Sequence, residues 1–189
     1  MTRNPPTTTS GDRRVRRTKA LLSEALLELL VTKRWDKISV QDIIDRADVG
    51  RSTFYAHYAT KVELLLDHLP GLVRQLADPV DADHDAMPNL VPLFEHIDEM
   101  QAVIRPILQQ TIRGEVTDAL QTQFEADWTA VLQRHRVEHP MAAAFLAGAT
   151  VAAGRWYLDH VDEVTPEQAA AGLTELARGV IEAVANGAR

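Results

Sequence analysis

One stretch constrains the chain more than any other: Ser39 to Lys61, S-V-Q-D-I-I-D-R-A-D-V-G-R-S-T-F-Y-A-H-Y-A-T-K. It reads as two short helices joined by a tight turn. Ser39 opens the first, and Asp42, three residues on, completes an acidic variant of the capping box. Ile43, Ile44 and Ala47 supply the buried side of that helix. Asp48-Val49-Gly50 forms the turn, with Val49 expected to fill the angle between the helices and Gly50 to relax the backbone. Arg51 to about Tyr58 forms the second helix. At about two turns it cannot stand alone and must be held by its neighbours. A helix-turn-helix is written this way, so DNA is the first partner to consider.

The charge distribution points the same way. The net charge is −7, yet residues 1–61 hold 12 Lys and Arg against 7 Asp and Glu, and the remainder holds 8 against 20. A basic end on an acidic body suits a protein that meets phosphate at one end; a solvated basic terminus is the alternative. Residues 1–12 lack hydrophobic periodicity and are expected to form a flexible arm. Arg13, Arg14, Arg16 and Arg17 follow, placed to lie along a minor groove or the phosphate backbone. From Thr18, a plausible N-cap, to about Thr32 the pattern is helical, with Leu22, Ala25, Leu26, Leu29 and Leu30 on one stripe. Trp35 and Ile38 are expected to close the bottom of a small core.

Apolar residues make up 46% of the chain and aromatics only 5%. Ala, Leu and Val carry the apolar content, which favours packed helices over sheet. Cysteine is absent, which excludes disulfides and thiolate metal sites. The N-terminus has no apolar signal core. The longest uncharged apolar run, Met141 to Gly154, falls short of the roughly 20 residues that span a bilayer. A cytoplasmic protein without a membrane partner is expected.

The sequence Ile38-Ser39-Val40-x-Asp42-Ile43, then Ala47-x-Val49, then Ser52-Thr53-Phe54-Tyr55-x-His57-Tyr58-x-x-Lys61 resembles the DNA-binding domain of the TetR/AcrR family of bacterial transcriptional regulators. The resemblance runs from about Thr18 to Leu66. Three positions depart from the usual pattern: Arg34 where Gly is common, Gly50 where Ser is common, and Val62 where an acidic residue is common. The resemblance implies an all-α fold of about nine helices. A three-helix helix-turn-helix domain at 13–61 would be followed by a larger helical ligand-binding and dimerisation domain at 62–189.

Within the reader, Arg51 is the candidate for base readout, because its guanidinium can donate in bidentate fashion to guanine O6 and N7. Ser52 and Thr53 suit a base edge or a phosphate. Tyr55, His57 and Tyr58 suit phosphates, which fix register. Ser39 and Gln41 could add phosphate contacts at the start of the first helix. Lys61 resembles the lysine that family members place against the DNA backbone. Phe54 is expected to face the core.

Beyond Val62 the helical pattern continues to Asp78, with a kink or break expected at Pro70-Gly71; in the family this helix joins the two domains. Pro79 to Asn89 reads as a loop. Its Asp81, Asp83 and Asp85 resemble a calcium loop, but Ala86 and Pro92 stand where Gly and Glu are needed. Further helices are expected at Leu90–Met100, Gln101–Ile112, Glu115–Arg136, Met141–His160 and Pro166–Ala185, with Gly114 separating the second and third. His135-Arg-Val-Glu-His139 formally matches a zinc motif but lacks a third ligand. No catalytic constellation stands out, so neither enzyme activity nor a metal or cofactor is expected.

The helices near 141–160 and 166–185 fit the dimerisation role that the resemblance implies, the first through its many Ala and Gly residues. A small-molecule effector is likewise implied. Phe94, Met100, Phe124, Trp128, Phe145 and Trp156 could line an apolar pocket, with His96, Arg155 and Tyr157 as polar handles. A filled helical core accounts for the same residues equally well. The sequence therefore supports a ligand-responsive repressor on a pseudo-palindromic operator. The alternative is a similar dimer whose second domain binds a protein partner or nothing.

Overall fold

The computed structural model describes residues 10–76, 87–108 and 112–187. Among them are nine α-helices, one 3₁₀ turn and no strand. They form two compact units that divide between His68 and Leu69.

The first unit holds α1 (Ser10–Thr32), a 3₁₀ turn at Trp35–Lys37, α2 (Val40–Ala47), α3 (Arg51–Tyr55) and the start of α4 (Lys61–Leu76). Leu22, Ala25, Leu26 and Leu30 of α1 are buried with Ile43, Ile44 and Ala47 of α2, as the stripes predict; Leu29 is half-buried. Trp35, Ile38 and Phe54 close this core, Phe54 at 0% exposure. Helix α1 begins at Ser10, not at Thr18, which lies well inside it. Residues 10–12, expected in the arm, are thus helical, and 1–9 lie outside the described residues. Arginine is a good helix former, so the basic run extends α1 despite having no apolar stripe of its own.

The capping box on α2 is present. Ser39 Oγ accepts from the Asp42 N–H at 3.1 Å, and the Asp42 carboxylate accepts from the Ser39 N–H at 2.8 Å. Asp48 ends the helix in the left-handed conformation, φ 52°. Gly50 has φ −70°, open to any residue, and stands as the N-cap of α3. The turn is therefore made by Asp48, whose short polar side chain tolerates that region, and not by Gly50 as expected. Helix α3 ends at Tyr55, about a turn earlier than expected.

The second unit contains the rest of α4, then α5 (Val91–Glu99), α6 (Gln101–Leu108), α7 (Arg113–Arg134), α8 (Pro140–Asp159) and α9 (Pro166–Gly187). Helix α4 continues through Pro70 without a break. Gly114 lies in the first turn of α7 instead of separating helices. The Pro79–Asn89 loop, its calcium-like aspartates and the expected end of α4 at Asp78 fall outside the described residues, apart from 87–89.

The core gathers Phe94, Trp128, Leu146, Ala147, Tyr157, Leu173 and Ala177. Small residues let α7 and α5 approach α8: a Cβ on Gly154 would stand 3.2 Å from Ile97 Cδ1. Trp128 Nε1 donates to Thr150 Oγ1 at 2.9 Å, and that hydroxyl donates to the Leu146 carbonyl at 2.9 Å. A polar chain that is fully satisfied costs little where an unpaired one would cost much. His139 caps α8, accepting from the Ala142 N–H at 3.2 Å. Among the described residues no helix is long and apolar enough to cross a membrane.

Candidate nucleic-acid interface

Helix α3 is only five residues long, and its position is set by what lies beneath it. Phe54 is its buried anchor and meets Tyr55 edge-to-face at 5.4 Å and Tyr58 at 6.0 Å. Burying a Phe side chain contributes on the order of 2–3 kcal/mol. With Phe54 facing inward, Arg51, Ser52 and Tyr55 face solvent, and Thr53 and His57 are half-buried. The Arg51 guanidinium lies 5.7 Å from the Tyr55 ring, within cation–π range on the exposed face of α3.

The arginine run is not an arm. Arg13, Arg14, Arg16 and Arg17 are exposed residues of α1. Arg14 lines a shallow depression of about 280 Å³ with Val15, Thr18, Ser52, Thr53 and His57. One guanidinium, three hydroxyls and an imidazole thus border a surface between α1 and α3. Such a set can hold a phosphate beside the recognition helix. The helix places these groups, where an arm along the minor groove would not.

Three of the residues expected at DNA are engaged within the fold. Tyr58 is 4% exposed, and its hydroxyl donates to Asp67 Oδ2 at 2.7 Å. Burial and the Asp67 carboxylate push its pKa up. Lys19 pairs with the same Asp67 oxygen at 3.0 Å and sits 5.3 Å from the Tyr58 ring. Tyr58 therefore ties α1 to α4.

Lys61 is the second. Its ammonium donates to the Trp35 and Ile38 carbonyls, each at 2.6 Å, and lies 4.4 Å from the Trp35 ring. Burial pushes its pKa down. The Trp35 carbonyl also accepts from the Ile38 N–H at 3.2 Å, so Lys61 acts as an internal clasp that holds both ends of the 3₁₀ turn to the start of α4. Ser39 is the third. Its N–H and its hydroxyl both donate to Asp42 Oδ2, at 2.8 and 2.7 Å, leaving no donor for a phosphate. Gln41 is exposed and gives an amide hydrogen to Asp45 at 2.7 Å.

Asp67 organises the site and escaped sequence reading, because its partners Tyr58 and Lys19 meet it only through the fold. Asp48 was read as part of the turn, but not as its left-handed residue. Asp48 carried a usable signal, since Asp before a turn is a common left-handed residue.

The family model described as "Bacterial regulatory proteins, tetR family" matches residues 22–67. The chain is 46% identical over 55 residues to an uncharacterized HTH-type transcriptional regulator, YxbF, of Bacillus subtilis (strain 168). That match covers 29% of this chain and 14% of the other protein. Among solved structures, the dihydroxyacetone kinase operon activator DhaS superposes with a TM-score of 0.63 at 19% identity, over 88% of this chain and 97% of that one. A TetR transcriptional regulator from Streptococcus agalactiae 2603V superposes with a TM-score of 0.57 at 25% identity, again over 88% and 97%. The first unit is thus similar in sequence to the DNA-binding domain of TetR-family transcriptional regulators, and the described helices share the fold of solved TetR-family structures.

Proposed function

We propose that the protein acts in the cytoplasm as a homodimer on a pseudo-palindromic operator, as a repressor whose occupancy responds to a small-molecule effector. The observation that carries the DNA side of this reading is the outward face of α3, where Arg51, Ser52 and Tyr55 stand exposed over buried Phe54. Arg51 reads a guanine edge. Arg14, Thr53 and His57 bind a flanking phosphate, and Arg13, Arg16, Arg17 and Gln41 add to the attraction of the backbone. Occupying the operator is sufficient to block transcription, so repression needs no further surface.

Support for the dimer comes from the outer face of α8 and α9. Met141 is 73% exposed, Phe145 61% and Trp156 48%, and Ala149 and Ala152 fall between them at helical spacing. Leu176 of α9 is 72% exposed. A groove of about 490 Å³ runs between the two helices. An apolar stripe of this kind marks a surface that is covered in use, and a two-fold operator calls for a two-fold protein.

The expected effector pocket does not form from the aromatic residues as a group. Phe94, Phe124, Trp128 and Tyr157 are core, whereas Phe145 and Trp156 face outward. Phe124 and Trp128 line a small cavity of about 40 Å³ with Val73, Leu90 and Leu93. Its size favours a second reading, a dimer whose second unit binds a protein partner or nothing. The effector reading is supported by the likeness of the reader to the TetR family.

Footprinting on the DNA upstream of the protein's own gene tests the proposal. It should show a protected two-fold site whose half-sites lie a whole number of helical turns apart. Protection of a single unrepeated half-site would overturn the dimeric reading.

A further inference from the structure

The first turns of α1 project past the core that holds the rest of the helix. Residues 13–17 are all exposed, and full burial begins only at Leu22. All of them except Val15 are arginines, so this end of α1 carries positive charge where it has no core to cover. A helix turns by about 100° per residue, which sorts the arginines by side. Arg14 precedes Ala25 by eleven residues, about three whole turns, and so shares the buried side of α1. There it borders the depression with Thr18 and with Ser52 and Thr53 of α3. Arg13 precedes Leu22 by nine residues, and Arg17 precedes Leu26 by nine, which is half a turn away from the same core. Arg13 and Arg17 therefore stand on the side of α1 turned away from α3, about 6 Å apart along the helix.

With α3 in the major groove, α1 crosses the phosphate strand beside it and Arg14 lies on that strand. The other side of a phosphate strand is the minor groove. A guanidinium is weakly hydrated and suits a narrow, A/T-rich minor groove, where the potential is most negative. Two guanidinium groups about 6 Å apart match about two base-pair steps along it. We infer that Arg13 and Arg17 enter the minor groove flanking each half-site and make the protein select A/T-rich sequence there, outside the bases that α3 reads. The inference rests on the proposal that α3 reads DNA. It goes beyond attraction to the backbone, because groove width depends on sequence.

The test uses the full chain and a pool of duplexes with a random central stretch, from which bound sequences are selected and read. Wild type should enrich a two-fold core motif with A/T runs flanking each half. The double variant Arg13→Ala, Arg17→Ala should enrich the same core with unbiased flanks, since alanine preserves the helix. On the selected duplex, exchanging flanking A·T pairs for G·C should weaken wild type by roughly fivefold, the lower end of what one base pair contributes. The double variant should be indifferent to that exchange. Inosine·cytosine pairs remove the minor-groove amino group of guanine and keep its major-groove acceptors, so they should restore wild-type binding. Unbiased flanks with wild type, an A/T preference that survives in the double variant, or inosine pairs that bind like G·C would overturn the inference. Each of those results leaves the core motif, and the reading by α3, in place. If wild type enriches no core motif, that reading falls and the inference falls with it.

Discussion

The two units use their side chains in opposite ways. In the first, polar groups are directed inward to hold a five-residue helix: Lys61 on two carbonyls, Tyr58 and Lys19 on Asp67, Ser39 on Asp42. In the second, long helices bury an apolar core and leave Met141, Phe145, Trp156 and Leu176 on the outside. A short reading helix cannot stabilise itself, so its neighbours' polar groups become scaffold and only a few face DNA. Long helices have apolar surface in excess, and the excess forms the proposed interface. Exposure of a polar residue in the first unit and of an apolar one in the second are therefore the informative observations.

The largest effects should come from the second unit's outer face. Leu176→Glu or Phe145→Arg should convert a dimer to a monomer in light scattering and weaken operator binding by on the order of 100-fold, since buried anchors of this type are worth at least about 2 kcal/mol each. A dimer that persists in both variants would break the contrast. Next is Phe54→Ala, which should cost about 3–5 kcal/mol in chemical unfolding, because a fully buried ring is removed from a small core.

Lys61 sharpens the comparison further. Lys61→Met should lower stability by roughly 1–2 kcal/mol, less than for a fully buried group because the site is partly open to solvent. It should leave the slope of log affinity against log salt unchanged. Loss of about one phosphate equivalent from that slope would place Lys61 back on DNA. Tyr58→Phe should show a smaller stability loss, about 1 kcal/mol, again with no change in salt slope.

The smallest effect concerns pH. Burial holds His68 and His96 below the usual histidine value. The Lys33 ammonium holds Asp42, and the Tyr58 hydroxyl Asp67, below the usual carboxylate value. In each case the unfolded chain binds a proton that the folded chain resists. The stabilisation is thus present above about 6.5 for the histidines and about 4 for the carboxylates, and is lost as pH falls through the folded values. Tm should drop between pH 7 and 5 and again below 4. A Tm that rises on acidification would contradict these assignments.

Much of the first unit was legible because its determinants are local. Ser39 and Asp42 are three residues apart, and Ile43, Ile44 and Ala47 follow a helical period. The roles of Tyr58 and Lys61 were not legible, because Asp67 and the Trp35 and Ile38 carbonyls reach them only through the fold. A hydroxyl and an ammonium in sequence look free. The basic run was misread because Arg13 to Arg17 show no apolar stripe, although a helix extended from a stable body needs none. On α9 the helix buries Ala170, Leu173, Ala177 and Ile181 and turns Leu176 outward, a choice that apolar spacing alone does not make.

The central claim is that α3, steadied from beneath, reads DNA with Arg51 while Arg14 on α1 holds a phosphate beside it. Operator affinity of Arg51→Ala and Arg14→Ala, measured across a salt series and on operators altered at single bases, tests it most directly. Arg51→Ala should lose about 1–3 kcal/mol and its preference at one base pair of each half-site. Arg14→Ala should weaken all operators alike and lower the salt slope by about one per half-site. If Arg51→Ala binds as tightly as wild type with its base preferences intact, α3 is not the reading helix as described here.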